Sequence, residues 1–82
     1  METDKIGNLR KKIDRLDLEL IKVIDKRQKI ANEIVKIKIK NEIPIEDLKR
    51  EKEIINQLSK KSKLSNEFIE DIFQVIFKKS KK

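Results

Sequence analysis

The stretch IGNLRKKIDRLDLELIKVIDKRQKIANEIVKIKIK, residues 6–40, decides the fold. Its apolar residues recur at seven-residue steps along two neighbouring lines. One runs Ile6, Ile13, Leu20, position 27 and Ile34; the other runs Leu9, Leu16, Val23, Ile30 and Ile37. Seven residues are close to two helical turns, so each line stays on one face of a helix. No Gly or Pro interrupts from Asn8 to Asn41. The pattern predicts a single helix over about residues 4–40, with Thr3 or Asp4 as its N-cap. It should stop near Lys40, because Pro44 drives Ile43 away from the α conformation. At 1.5 Å per residue such a helix is a rod of about 50 Å.

Two shorter helices are predicted beyond it. The first covers about 46–60, with an apolar line of Leu48, position 51, Ile55 and Leu58 and with Ile54 beside it. Lys60-Lys61-Ser62-Lys63 reads as a polar loop. Ser65 is a good N-cap for a third helix over about 65–80, and Leu64 and Ile69 could staple across it. That helix carries Phe68, Ile69, Ile72, Phe73, Ile76 and Phe77 before fading into Lys78, Lys79, Lys81 and Lys82, read as a solvating end. The expected class is all-α, with residues 1–82 as one domain.

Rod length then argues for a second copy. A compact chain of this length has a radius of gyration of roughly 12 Å. Two helices of about 15 residues cannot cover the whole stripe of the first. Two long helices packed in a two-fold, intertwined dimer would. The competing arrangement breaks the first helix near Asn32 into a three- or four-helix monomer.

Composition excludes several chemistries. The chain has no Cys and no His, so disulfides, thiolate metal sites and Ser–His or Cys–His catalysis are absent. No metal or cofactor is expected. The net charge of +7 suits an anionic partner. No apolar run approaches the roughly 20 residues of a membrane span, and Met1-Glu2-Thr3-Asp4 does not open a signal peptide. A cytoplasmic protein without membrane contact is expected.

The informative residues are charges inside apolar lines. Position 27 is Arg27 and position 51 is Glu51, while Lys38 follows Ile24 and Ala31 at seven-residue steps. Ser80 extends the line of Phe73 and Ile76. Buried unpaired, such groups cost several kcal/mol, so they need partners. Arg27 could set the register of a helix seam with Glu51 as its partner; Asp47 could be only an N-cap with Arg50 its i,i+3 neighbour. Convergence favours a ligand. Arg27 and Lys38 share one face, about three turns apart. With 18 lysines against four arginines, each arginine points to a use for its bidentate fork. Arg10 lies near the start of the rod, so in a crossed dimer it could join the Arg27 of a second copy. Two forks and a lysine would suit a compact dicarboxylate.

These residues together resemble the all-helical chorismate mutase family. Leu9-Arg10-Lys11-Lys12-Ile13-Asp14-Arg15-Leu16-Asp17 is similar to that family's opening LRxxIDxLD. Arg27, Ala31, Ile34 and Lys38 fall in its RxxxAxxIxxxK pattern. Asp47-Leu48-Lys49-Arg50-Glu51 matches DxxRE, and Ile72 through Ser80 is similar to its third helix. The resemblance implies an intertwined dimer that rearranges chorismate to prephenate in aromatic amino acid biosynthesis, without nucleophile or metal. It further implies that Arg10 from the other chain and Arg27 grip the two carboxylates. Lys38 would donate to the ether oxygen; Glu51, with Asp47 nearby, would bind the ring hydroxyl. Arg50 would line the site and Ser80 contact a carboxylate. The family usually places a Gln or Glu donor four residues after Ser80, at position 84, beyond Lys82 here. The expectation is measurable but modest activity, since losing such a donor lowers a rate by about 100- to 1,000-fold.

Three other readings compete. A lyase of the same fold would release pyruvate from isochorismate, but that group tends not to keep the pair Asp47 and Glu51. A basic helical module would bind nucleic acid, yet all three aromatics are Phe in the apolar third helix, with no Tyr or Trp to stack on bases. A plain coiled-coil domain would bind a partner helix.

Overall fold

The computed structural model describes residues 1–80; Lys81 and Lys82, half of the expected lysine-rich end, lie outside the described residues. The described chain is three helices: α1 (Glu2–Lys40), α2 (Leu48–Lys61) and α3 (Asn66–Lys79). It contains no strand among the described residues.

α1 is unbroken through Asn32, so the split-helix monomer is not formed. It begins at Glu2 with Met1 as its N-cap; Thr3 and Asp4 lie inside its first turn, and the Asp4 carboxylate accepts from the Met1 amino group at 3.5 Å. Glu2 and Asp4 there suit the positive end of the helix dipole. Its other end is built by a Schellman motif. The Ile43 N–H reaches the Lys38 carbonyl at 2.8 Å, and the Glu42 N–H reaches that of Ile39 at 3.3 Å. Glu42 takes the left-handed conformation this motif needs, with φ 57°. Pro44 follows two residues later. The proline thus forbids resumption, while the stop itself is made by backbone hydrogen bonds before it.

α2 starts at Leu48, two residues later than predicted, because Asp47 is the cap: its side chain accepts from the Arg50 N–H at 3.0 Å. Ser65 caps α3 in the same way, accepting from the Phe68 N–H at 3.1 Å. Ser59 donates to Asn66 at 2.6 Å, tying the end of α2 to the start of α3.

α2 and α3 pack on each other around Ile55, Ile69 and Phe77, with Ile54, Leu58 and Phe73 against them. Ile69, Phe73 and Phe77 are four residues apart, so they form one stripe of α3. Phe68 and Ile72 stay exposed. This pair of helices covers only the second half of α1. Ile24, Arg27, Gln28, Ala31, Val35 and Lys38 are the residues of α1 that lose exposure, three or four residues apart except for the adjacent pair Arg27 and Gln28. The predicted seam Leu9, Leu16, Val23, Ile30 and Ile37 is therefore not the face that meets α2 and α3; all five remain exposed. The molecule is 61 Å long with a radius of gyration of 16.8 Å, well above the roughly 12 Å of a compact chain this size. No helix among the described residues is long and apolar enough to cross a membrane.

Candidate active site

The inner stripe of α1 carries two cations among its small and apolar residues. Arg27 and Lys38 lie three turns apart, and Ala31 between them is buried at 3% exposure. A larger residue at 31 would fill the space both side chains lean over. α2 closes this space from the other side with Arg50 and Ile54. The result is a hollow of about 350 Å³ lined by Arg27, Ile30, Ala31, Ile34, Lys38, Arg50 and Ile54. Its lining holds three cations, four apolar residues and no carboxylate.

Arg27 is the best-anchored of the three. Its Nη1 donates to Ser80 Oγ at 3.1 Å. Ser80 is the C-cap of α3 and only 3% exposed; its hydroxyl donates onward to the Ile76 carbonyl at 3.4 Å. The guanidinium also lies over Phe73 and Phe77. Burial, and then the like charge of Arg50, lower the pKa of Arg27 below the ordinary arginine value. Both causes disfavour the cation, and an anion placed in the hollow would offset them.

Lys38 donates to the Ile45 carbonyl at 3.1 Å. An ammonium has three N–H donors, so two remain for a ligand. The loop made by Glu42 and Pro44 thus holds the lysine at the hollow's far end. Arg50 is more exposed and lies 3.8 Å from Glu53, a loose surface pair.

The other sequence-derived candidates lie elsewhere in the single chain. Asp47 uses its carboxylate as the α2 cap and is not part of the lining. Glu51 is half-buried one turn along α2, with a partner of its own, and it too is outside the lining. Arg10 is exposed near the free half of α1, seventeen residues or about 25 Å along the helix from Arg27. No single chain can bring those two together. Sequence reasoning missed the apolar walls Ile30 and Ile54 and the aromatic pair beside Arg27. The i,i+4 spacing of Phe73 and Phe77, three residues short of Ser80, was the available signal.

The sequence pattern of the family described as chorismate mutase type II matches residues 9–82. The chain is similar to the chorismate mutase of Methanocaldococcus jannaschii, 35% identical over 81 residues, covering 95% of this chain and 82% of that protein. It is also similar to the bifunctional chorismate mutase/prephenate dehydratase of Buchnera aphidicola subsp. Schizaphis graminum, 36% identical over 76 residues. The corresponding bifunctional protein of Aquifex aeolicus is 37% identical over 60 residues. The matches cover 89% and 73% of this chain but only 20% and 17% of those two longer proteins. No solved structure gives a significant match.

Proposed function

The chain belongs to the chorismate mutase type II family, and from that premise we propose that it rearranges chorismate to prephenate in the hollow between α1 and α2. One observation carries the reading: three cations converge on a space with apolar walls and no carboxylate in its lining. Such a space is incomplete without an anion. A dicarboxylate with a hydrocarbon ring matches both its charge and its walls.

The reaction is unimolecular. A C–C bond forms as the ether C–O bond breaks, so the protein has to fold the substrate and stabilise the charge that develops on oxygen. Arg27, with its plane held by α3, takes one carboxylate by the donors that Ser80 leaves unused. Lys38 places a free N–H toward the ether oxygen, and the Ile45 carbonyl keeps the ammonium from swinging into solvent. Arg50 adds positive field at the rim. Glu51, half-buried on α2 outside the lining, is the carboxylate assigned to the ring hydroxyl, with the cap residue Asp47 nearby in sequence.

The second carboxylate requires Arg10, and we assign it to a second copy. Two features support this. Arg10 is too far from Arg27 to act in its own chain, and the Leu9–Ile37 seam is left uncovered by α2 and α3. Packing two such seams in a two-fold dimer covers both and carries the start of one rod to the middle of the other.

The test is direct. Purified protein is mixed with chorismate, and prephenate is measured against the uncatalysed reaction. Lys38→Met should slow it by about 100-fold or more, as loss of an oxyanion-type donor does. Protein that binds chorismate but forms no prephenate above background sinks the proposal. Release of salicylate from isochorismate would instead identify the pyruvate-releasing reaction.

A further inference from the structure

α3 does more than close one side of the molecule. Phe73, Phe77 and Ser80 stand on one stripe of it, at spacings of four and three residues. All three engage the same side chain. The Arg27 guanidinium carbon is 5.7 Å from the centre of the Phe73 ring and 5.8 Å from that of Phe77. The two ring centres are 5.6 Å apart and their planes tilt by 56°. Cation and rings thus make a nearly equilateral triangle, with both rings inside the roughly 6 Å at which a cation feels the aromatic face. Ser80 then holds one corner, Nη1, at 3.1 Å.

A guanidinium is planar and has five N–H donors in a fixed fork. Fixing one corner alone would let the plane rotate about that bond. Two tilted rings remove this freedom. We infer that Phe73 and Phe77 are positioning residues that hold the plane of Arg27, so that the donors Ser80 leaves free meet a carboxylate in the hollow. The kinetic consequence rests on the mutase reading; the ring–cation contact does not.

Phe77 is a core residue at 3% exposure, so its replacement would disturb packing as well. Phe73 is half-buried and is the better probe. Phe73→Leu keeps an apolar side chain and removes the aromatic face; Phe73→Tyr keeps the face. With four arginines in the chain, the Nε–H signals can be resolved by NMR on the unliganded protein. The Arg27 signal should carry a ring-current shift absent from exposed Arg10, and Phe73→Leu should reduce it. In the same variant KM should rise about fivefold with kcat within about twofold, the pattern of a grip lost equally from the bound substrate and the transition state. Phe73→Tyr should restore both.

Several outcomes overturn the inference. An Arg27 signal without ring-current shift in the wild type does so whether or not Phe73→Leu folds. Equal kinetic losses in Phe73→Leu and Phe73→Tyr, tracking a lowered melting temperature, would make Phe73 a packing residue only. Absence of prephenate from the wild type would remove the mutase reading instead. The unliganded NMR shift would still decide the contact, so the two failures are distinguishable.

Discussion

If Arg10 and Arg27 act on one substrate from different chains, two dead variants should revive each other. Along the continuous α1 helix (Glu2–Lys40) their separation is about 25 Å at 1.5 Å per residue. That is far beyond the reach of either side chain. Each arginine supplies charge-assisted hydrogen bonds worth about 1.5–3 kcal/mol. Arg10→Ala and Arg27→Ala should each lower kcat/KM by roughly 10- to 150-fold. Equal amounts of the two variants, allowed to exchange chains, form about half mixed dimers in a two-fold assembly. Every mixed dimer has one site with both arginines and one with neither. The mixture should therefore recover about a quarter of wild-type activity. The assay is the initial rate of chorismate consumption before and after exchange, with exchange verified by chains of different mass. Activity no greater than the mean of the two parents, after exchange is complete, would refute the shared site. Arg10 would then have no part in it.

Other consequences follow from the same geometry. Leu16 on the outer seam is 61% exposed; Leu16→Glu should weaken association by about 1–2 kcal/mol per protomer, counted twice in a two-fold dimer. Sedimentation should show monomers at concentrations where the wild type is dimeric, and an unchanged dimer would contradict the seam. Glu42, at φ 57°, is strained where glycine is not, so Glu42→Gly should stabilise the fold by about 1 kcal/mol in thermal unfolding. A loss of stability would mean the left-handed cap is not what ends α1. The pKa of Arg27 is lowered, by burial first and by the like charge of Arg50 second. A cation whose folded pKa lies below its unfolded one weighs against folding at neutral pH, and that burden lifts only as pH rises toward the unfolded value. The unpaired Arg27 cation is therefore a burden on the empty fold that a bound anion would relieve. In Arg27→Met the melting temperature without ligand should not fall, while the rise on adding chorismate should disappear. A melting temperature that drops sharply would assign Arg27 to the fold rather than the ligand.

How much of this was readable from the chain depends on the kind of signal. The seven-residue rhythm and the absence of Gly and Pro from Asn8 to Asn41 made α1 readable, because helical periodicity is local and survives any packing. Ser65 and Asp47 were readable as caps for the same reason: a short oxygen-bearing side chain before a helix has one nearby use. The stop at Lys40 was placed correctly but for an incomplete reason. A Schellman turn with a non-glycine at its left-handed position leaves little trace in composition. The anomalous positions, Arg27 and Lys38, stood out because a charge within an apolar line is costly unless something meets it.

The sequence by itself determined the three helices, the excess of apolar stripe on the first, and the charges that interrupt it. Periodicity shows that a face is apolar but not which neighbour lies against it. Only the tertiary arrangement separated the inner stripe Ile24–Lys38 from the outer seam Leu9–Ile37 and brought Arg50 opposite Arg27 and Lys38. It also set Phe73, Phe77 and Ser80 around one guanidinium. Those contacts join residues up to 53 positions apart, and no local pattern encodes a distance across the fold. The geometry turned a row of basic residues into one anchored arginine, one tethered lysine and an open rim.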